Sequence, residues 1–317
     1  MKKLLSILLT LTFCSCLLVG CGSQKAAQGD YPESVTFTYV TSPLNVPSII
    51  EKEKGIFTEV FGEKGIAVNY SEITSGSEQT QALASGDIQI LNAVGATSVI
   101  LAAANGSDIK VVDMYSRSPK AFCLFTKDDS INSPEDLRGK TIAGPTGTNL
   151  HELLVAYLAT AGMSLENVNF VNMSIPDAQA ALGGGSIDAA LLAGPAANQI
   201  QAAGYHLVTN GEGLIHAIIC VAVSGEFYEK HPEVIELLKA SQSEIIEFMN
   251  NNYEETVEMV ATSLDLERSA VEEMYTYYDF GVALTDADKE GFQATADFMY
   301  KNDMIENEFD ITSLFLE

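Results

Sequence analysis

Basic residues are scarce in this chain: 17 Lys and Arg stand against 43 Asp and Glu, a formal net charge of −26. A charge of that sign and size excludes binding to nucleic-acid phosphates and to anionic lipid headgroups, which both need a field of the opposite sign. It leaves a small-molecule ligand open, since one pocket can oppose the global sign. Histidine is rare, at 4 residues, and neither His-x-x-x-His nor Cys-x-x-Cys spacing occurs. The usual donor patterns of metal sites are therefore missing, and neither a metal nor a cofactor is expected. Of 5 cysteines, Cys14, Cys16 and Cys21 crowd the N-terminus, leaving Cys123 and Cys220. Each sits in an apolar strand-like run (121–125 and 218–223), either as a buried thiol or as half of a disulfide. Beyond the N-terminus no apolar run reaches the ~20 residues that span a bilayer.

What is present at the N-terminus is a leader. Lys2 and Lys3 precede an apolar run over 4–18 that ends in Leu18-Val19-Gly20-Cys21. The run is too short for a membrane span and fits a signal-peptide core. A small Gly before a Cys resembles the bacterial lipobox. Residues 1–20 are thus expected to be removed, and Cys21 to carry the lipid. Residues 21–33, rich in Gly, Ser, Gln and Ala, read as a flexible tether. The expected location is the outer face of the bacterial cytoplasmic membrane, reached through the lipid anchor only.

Strand-like and helix-like segments then alternate, which implies parallel pairing with helices on both faces of a sheet. Strands are expected over 35–40, 66–73 and 88–91. The pattern repeats itself: Ala82-Leu83, Gly86, Ile88 and Gly95 recur as Ala181-Leu182, Gly185, Ile187 and Gly194 at one constant offset. Ser75 and Ser174 align at the same offset, each after a strand. One unit used twice predicts two similar lobes facing each other. A Ser would start each helix and a Gly would end it. The runs 109–115 and 121–126, flanking Ser116-Arg117-Ser118-Pro119, read as a crossover between lobes, and 215–223 as the return. Residues 232–303 read as mostly amphipathic helix.

Four stretches now resemble one family. They are Gly55-Ile56-Phe57 with Phe61, Gly65-Ile66 and Val68; Gly76 with Ala82-Leu83 and Gly86-Asp87-Ile88; Asp136-Leu137-Arg138-Gly139-Lys140-Thr141-Ile142; and Ala181-Leu182 through Ile187-Asp188-Ala189 to Gly194-Pro195. Over residues 35–245 the chain resembles the type II periplasmic-binding-protein fold. Within it, the chain is similar to the substrate-binding lipoproteins of ABC importers in the nitrate, sulfonate, taurine and thiamine-pyrimidine-precursor group. The resemblance implies an α/β protein of two Rossmann-like lobes with mixed, mainly parallel sheets, joined by a two-segment hinge. The expected lobes are 34–116 with 218–317, and 117–217. It implies a monomer that captures a small organic solute and delivers it to an ABC permease, without catalysis. The Cys-rich signature of pyrimidine-synthesising relatives is missing. One departure is local: where relatives often carry an aromatic before the Pro, Gly194 precedes Pro195, and the chain has no Trp.

Ligands in such folds bind beyond the carboxyl ends of strands, where loops and helix starts converge. That rule selects Thr41, Ser42 and Asn45; Ser75, Gly76 and Ser77; Asn92 and Gly95; Thr146, Gly147, Thr148 and Asn149; and Ser174, Asp177 and Gly194. Tyr115, Arg117 and His216 join them from the expected crossovers. Hydroxyls and first-turn amides favour a sulfonate-like or other oxyanion. Glu78 and Asp177, in the first turns of two helices, favour instead a neutral or amine-bearing heterocycle such as a thiamine pyrimidine precursor. A ligand-sensing lipoprotein and an exported enzyme are the remaining alternatives.

Overall fold

The computed structural model describes residues 31–41 and 44–316. The leader, Cys21, tether residues 22–30 and Ser42 lie outside the described residues. Of the expected tether, 31–33 are described, and Tyr31 packs against the core.

The strands in chain order are β1 (Ser34–Thr38), β2 (Ala67–Ser71), β3 (Ile90–Gly95), β4 (Ile109–Arg117), β5 (Phe122–Thr126), β6 (Thr141–Gly144), β7 (Asn169–Asn172), β8 (Ala189–Ala193), β9 (His206–Asn210) and β10 (Ile218–Ser224). They form two five-stranded sheets, ordered β2-β1-β3-β10-β4 and β7-β6-β8-β5-β9. The two orders are the same design: β7, β6, β8, β5 and β9 stand where β2, β1, β3, β10 and β4 do. Both sheets are mixed. In the first, β1 runs parallel to β2 and β3, while β10 runs antiparallel to β3 and β4. In the second, β6 is parallel to β7 and β8, and β5 is antiparallel to β8 and β9. Both antiparallel positions are filled by the strand arriving from the other lobe, which needs no helical crossover to reach its place.

The central strands β5, β8 and β10 are buried along almost their whole length, because helices cover both faces and no polar alternation is required. The repeated unit has the expected ends. Ser75 caps helix Gly76–Ser85 by accepting from Glu78 N, and Ser174 caps helix Ile175–Gly184 by accepting from Asp177 N. Gly86 (φ 82°) and Gly185 (φ 73°) close them in the left-handed region that disfavours a side chain.

The C-terminal part supplies helices Pro232–Asn251, Tyr253–Leu264, Arg268–Tyr275 and Asp286–Lys301. Residues 276–285, expected as helix, run instead beside β4. Met114 N donates to Val282 O at 2.9 Å, and Arg117 and Asp279 exchange two backbone bonds. This covers the backbone of an edge strand that would otherwise stay open. Cys123 and Cys220 are free, buried thiols in different sheets. Among the described residues no helix is long and apolar enough to cross a membrane.

Candidate functional site

The lobes meet where helix Ala96–Ala104, which follows β3, approaches helix Asn149–Ala159, which follows β6. Ser98 Oγ donates across to Gly147 O at 2.7 Å, and Thr97 Oγ1 lies 2.7 Å from Asn149 Oδ1. Gly76 comes so close to this contact that a Cβ there would sit 2.1 Å from Ser98 Oγ.

Beside the contact is an inner cavity of about 520 Å³, its open mouth included. Val40, Phe122, Leu150, Ile175 and Ile219 form its apolar wall. Thr74, Gln79, Ser98, Thr148 and Asn149 form its polar one. No charged side chain among the described residues lines it. Four helix starts reach it instead: Gly76, Gly95 (the cap of helix Ala96–Ala104), Thr148 with Asn149, and Ile175. The partial positive charge of several helix N-termini falls on one small volume. Thr74, Pro145 and Ile175 continue into an outer chamber lined also by Ser75, Glu78, Asn172, Ser174 and Asp177. Electrostatically the cleft is graded, donor-rich inside and carboxylate-bearing at the mouth.

One wall carries backbone strain. β3 and β10 slip register where Cys220 pairs with Val94 and Val221 with Asn92, so Ala93 is the extra residue of a bulge. Ala93 has φ 76° and lines the inner cavity. A non-glycine residue in that region costs free energy and is held by its surroundings.

Seven of the residues selected from sequence line these two spaces. Gly76, Gly95, Thr148 and Asn149 line the inner cavity, and Ser75, Ser174 and Asp177 the outer chamber. Ser77 bonds to Ser75, and Gly147 receives Ser98. Thr146 is exposed, its N–H on Asn172 Oδ1. Asn45 is buried and donates to Val40 O, closing the loop that contains Thr41. Gly194 lines a separate hollow with Lys120, Asn198 and Tyr277.

Besides Gly194, four selected residues lie elsewhere. Asn92 belongs to β3 itself, which runs on to Gly95, and its amide meets Ser48 and Gln242 within the first lobe. Tyr115 is a β4 residue whose hydroxyl bonds to Ser48, and its burial raises its pKa. Arg117 holds Asp288 through both carboxylate oxygens, at 2.6 Å each. His216 is exposed beside Arg117 on a surface hollow with Asp279 and Asp288. None of the four lines the inner cavity or the outer chamber.

Sequence reasoning missed Thr74, Ser98 and Gln79. For Ser98 and Gln79 the available signal was helical spacing, three and four residues after the caps Gly95 and Ser75, which puts them on the cap's face. Gln79 donates to Ile73 O at 2.7 Å, which leaves its buried Oε1 without a partner.

Comparison with known proteins agrees with this architecture. Residues 43–254 match the family described as NMT1/THI5 like. A Bacillus subtilis (strain 168) protein named for aliphatic sulfonate binding is 28% identical, over 98% of this chain and 93% of its own length. The taurine-binding periplasmic protein of Escherichia coli (strain K12) is 33% identical over 66% of this chain and 64% of its own. Among solved structures, the alkanesulfonate-binding protein of Xanthomonas axonopodis pv. citri, bound to MOPS, superposes with a TM-score of 0.80 at 22% identity. That match covers 90% of this chain and 98% of the other, and it shows the shared fold.

Proposed function

This chain belongs to the NMT1/THI5-like family, and from that premise we propose that it is an extracytoplasmic solute-binding protein that captures a sulfonate-like oxyanion between its lobes and delivers it to an ABC permease. The observation that carries this reading is the convergence of four helix starts on a cavity that no charged side chain among the described residues lines. Helix N-termini offer oriented N–H groups to an anion, each favouring negative charge by about 0.3–1 kcal/mol, more when partly buried. A neutral donor shell also lets the anion leave again, which suits a carrier. Relatives named for sulfonate and taurine binding support the same ligand class.

In this reading the backbone amides at Gly76 and Asn149 and the hydroxyl of Thr74 hold the oxyanion. The lobes are 34–116 with 218–317, and 117–217, hinged at the two crossing segments. The protein is a monomer anchored by a lipid on Cys21. It is read as a carrier, which relatives named for sulfonate and taurine binding support. A second reading, an amine-bearing ligand, is favoured by Glu78 and Asp177 at the mouth.

A thermal-shift and calorimetric screen with ethanesulfonate, taurine, nitrate, pyrimidines and simple amines tests the assignment. A ligand at one hundred times its Kd stabilises the protein by about 2.7 kcal/mol, a shift of several degrees. Sulfonates are expected to give it. A response confined to pyrimidines or amines would transfer the assignment to the second reading.

A further inference from the structure

Glu152 is a carboxyl group with no cation beside it among the described residues, 3% exposed, at the junction between the lobes. It sits in the first turn of helix Asn149–Ala159, on the second lobe. Its two hydrogen-bond partners belong to the first lobe. Thr97 Oγ1 is in direct contact with Glu152 Oε2, and Thr295 Oγ1 lies 3.3 Å from Oε1.

Counting protons decides the state of this group. Thr97 has a single hydroxyl proton. Its Oγ1 also lies 2.7 Å from Asn149 Oδ1, which can only accept, because the Asn149 Nδ2 faces the Ile218 carbonyl at 3.4 Å. Turning that amide over would set two acceptors against each other at Ile218. The Thr97 proton therefore goes to Asn149. The remaining contact, between Thr97 Oγ1 and Glu152 Oε2, has to be made by a proton carried on Glu152. Thr295 donates to the other carboxyl oxygen.

We propose that Glu152 is a positioning residue whose proton latches the lobes together, so that closing around the ligand takes up one proton. The proposal rests on reading the inner cavity as the ligand site. Asn149, which the latch orients through Thr97, lines that cavity, and Thr97 adjoins Ser98, which also lines it. Ionised Glu152 can no longer donate to Thr97 and becomes a buried charge without a counter-ion, a costly state that opening to water relieves.

The surroundings support a single responsive group. Helix Asn149–Ala159 packs on helix Ala96–Ala104 and strand β8, which carry no titratable side chain; on β5, which carries Cys123; and on the turn Pro134–Leu137, with Glu135 and Asp136. Helix Asp286–Lys301, reached through Thr295, carries Asp286, Asp288, Lys289, Glu290, Asp297, Tyr300 and Lys301, of which Asp288 is paired with Arg117. His151 and Tyr157 share the helix of Glu152. No charge among these acts on Glu152. Burial is the largest influence on its pKa and raises it to about 7.

The test compares the full chain with Glu152→Gln, whose amide donates to Thr97 and accepts from Thr295 at every pH. Small-angle scattering of the ligand-free proteins between pH 5.5 and 8.5 reads lobe separation, and calorimetry with taurine and ethanesulfonate reads affinity. The parent is expected to open as pH rises, with Kd increasing up to about tenfold per pH unit above the midpoint, as one-proton linkage requires. Glu152→Gln should stay closed, with a Kd independent of pH. A parent whose dimensions do not change with pH, or a Gln variant that opens alongside it, would overturn the latch. If neither sulfonate binds at any pH, the ligand assignment fails, while scattering still decides the latch.

Discussion

Arg117 donates to both carboxylate oxygens of Asp288 and to the carbonyls of Gly281 and Ala283, so its guanidinium is engaged within the fold. Arg117→Ala would strand a carboxylate only 4% exposed, a loss of about 3 kcal/mol. Denaturant titration should show that drop, while calorimetry shows a sulfonate Kd within about threefold of the parent. A large loss of affinity with unchanged stability would return Arg117 to the ligand. Gly76 gives the opposite contrast. In Gly76→Ala the new methyl must displace Ser98 Oγ and so break its bond to Gly147, at a cost of about 1–3 kcal/mol. Much of that cost should fall on closure, so the sulfonate Kd is expected to rise tenfold or more. An unchanged Kd would mean that this contact does not form the site.

At the scale of elements, the repeated strand–helix–strand unit was legible because its signals are local. Ser75 and Ser174 cap, Gly86 and Gly185 terminate, and both rules act within a few residues. The bulge in β3 was not legible. Nothing in Leu91-Asn92-Ala93-Val94 announces a left-handed residue. The conformation is imposed by pairing with β10, a strand that returns from the other lobe. Ala93→Gly should therefore stabilise the protein by about 0.5–1 kcal/mol, as relief of the left-handed penalty outweighs the extra chain entropy of Gly. Ala93→Val should cost more than that gain. Chemical denaturation of the two variants checks the sign, and a destabilised Gly variant would mean that the bulge stores no strain.

For the molecule as a whole, burial of carboxyls sets the pH response. Burial raises the pKa values of Glu152 and Glu51 to about 7 and that of Asp113 to about 6. The folded state then binds these protons more tightly than the unfolded chain. The stability they confer is complete below the ordinary carboxylate range and is lost as pH rises through 6–7. Asp288 responds in reverse. Burial is the largest influence on it and pushes its pKa up, but the bonds from Arg117 and Thr285 outweigh burial and hold it low. Its contribution disappears only as the pH falls below the ordinary Asp range. Stability is expected to peak in mild acid and to decline toward pH 8. Glu152→Gln should remove up to about 3 kcal/mol of that decline, unless opening of the lobes relieves the charge first. Denaturation midpoints at pH 5, 6.5 and 8 test this, and a parent that is most stable at pH 8 would contradict it.

By itself the sequence determined the two-lobed α/β design, the starts of the helices that face the cleft, and the acidic character of the molecule. These follow from local periodicity, capping and composition, which need no distant partner. Tertiary structure decided which polar residues turn toward the ligand. Asn92 faces the first lobe because β3 runs on to Gly95, past its expected end at 91, and along a strand each added residue reverses the side-chain face. Tyr115, inside its expected run, is held in the first lobe by Ser48. Arg117 was settled by Asp288, a partner in the last long helix, and Glu152 by Thr97 and Thr295 across the lobe junction. No local rule specifies such pairs, because they exist only when segments far apart in the chain are packed together.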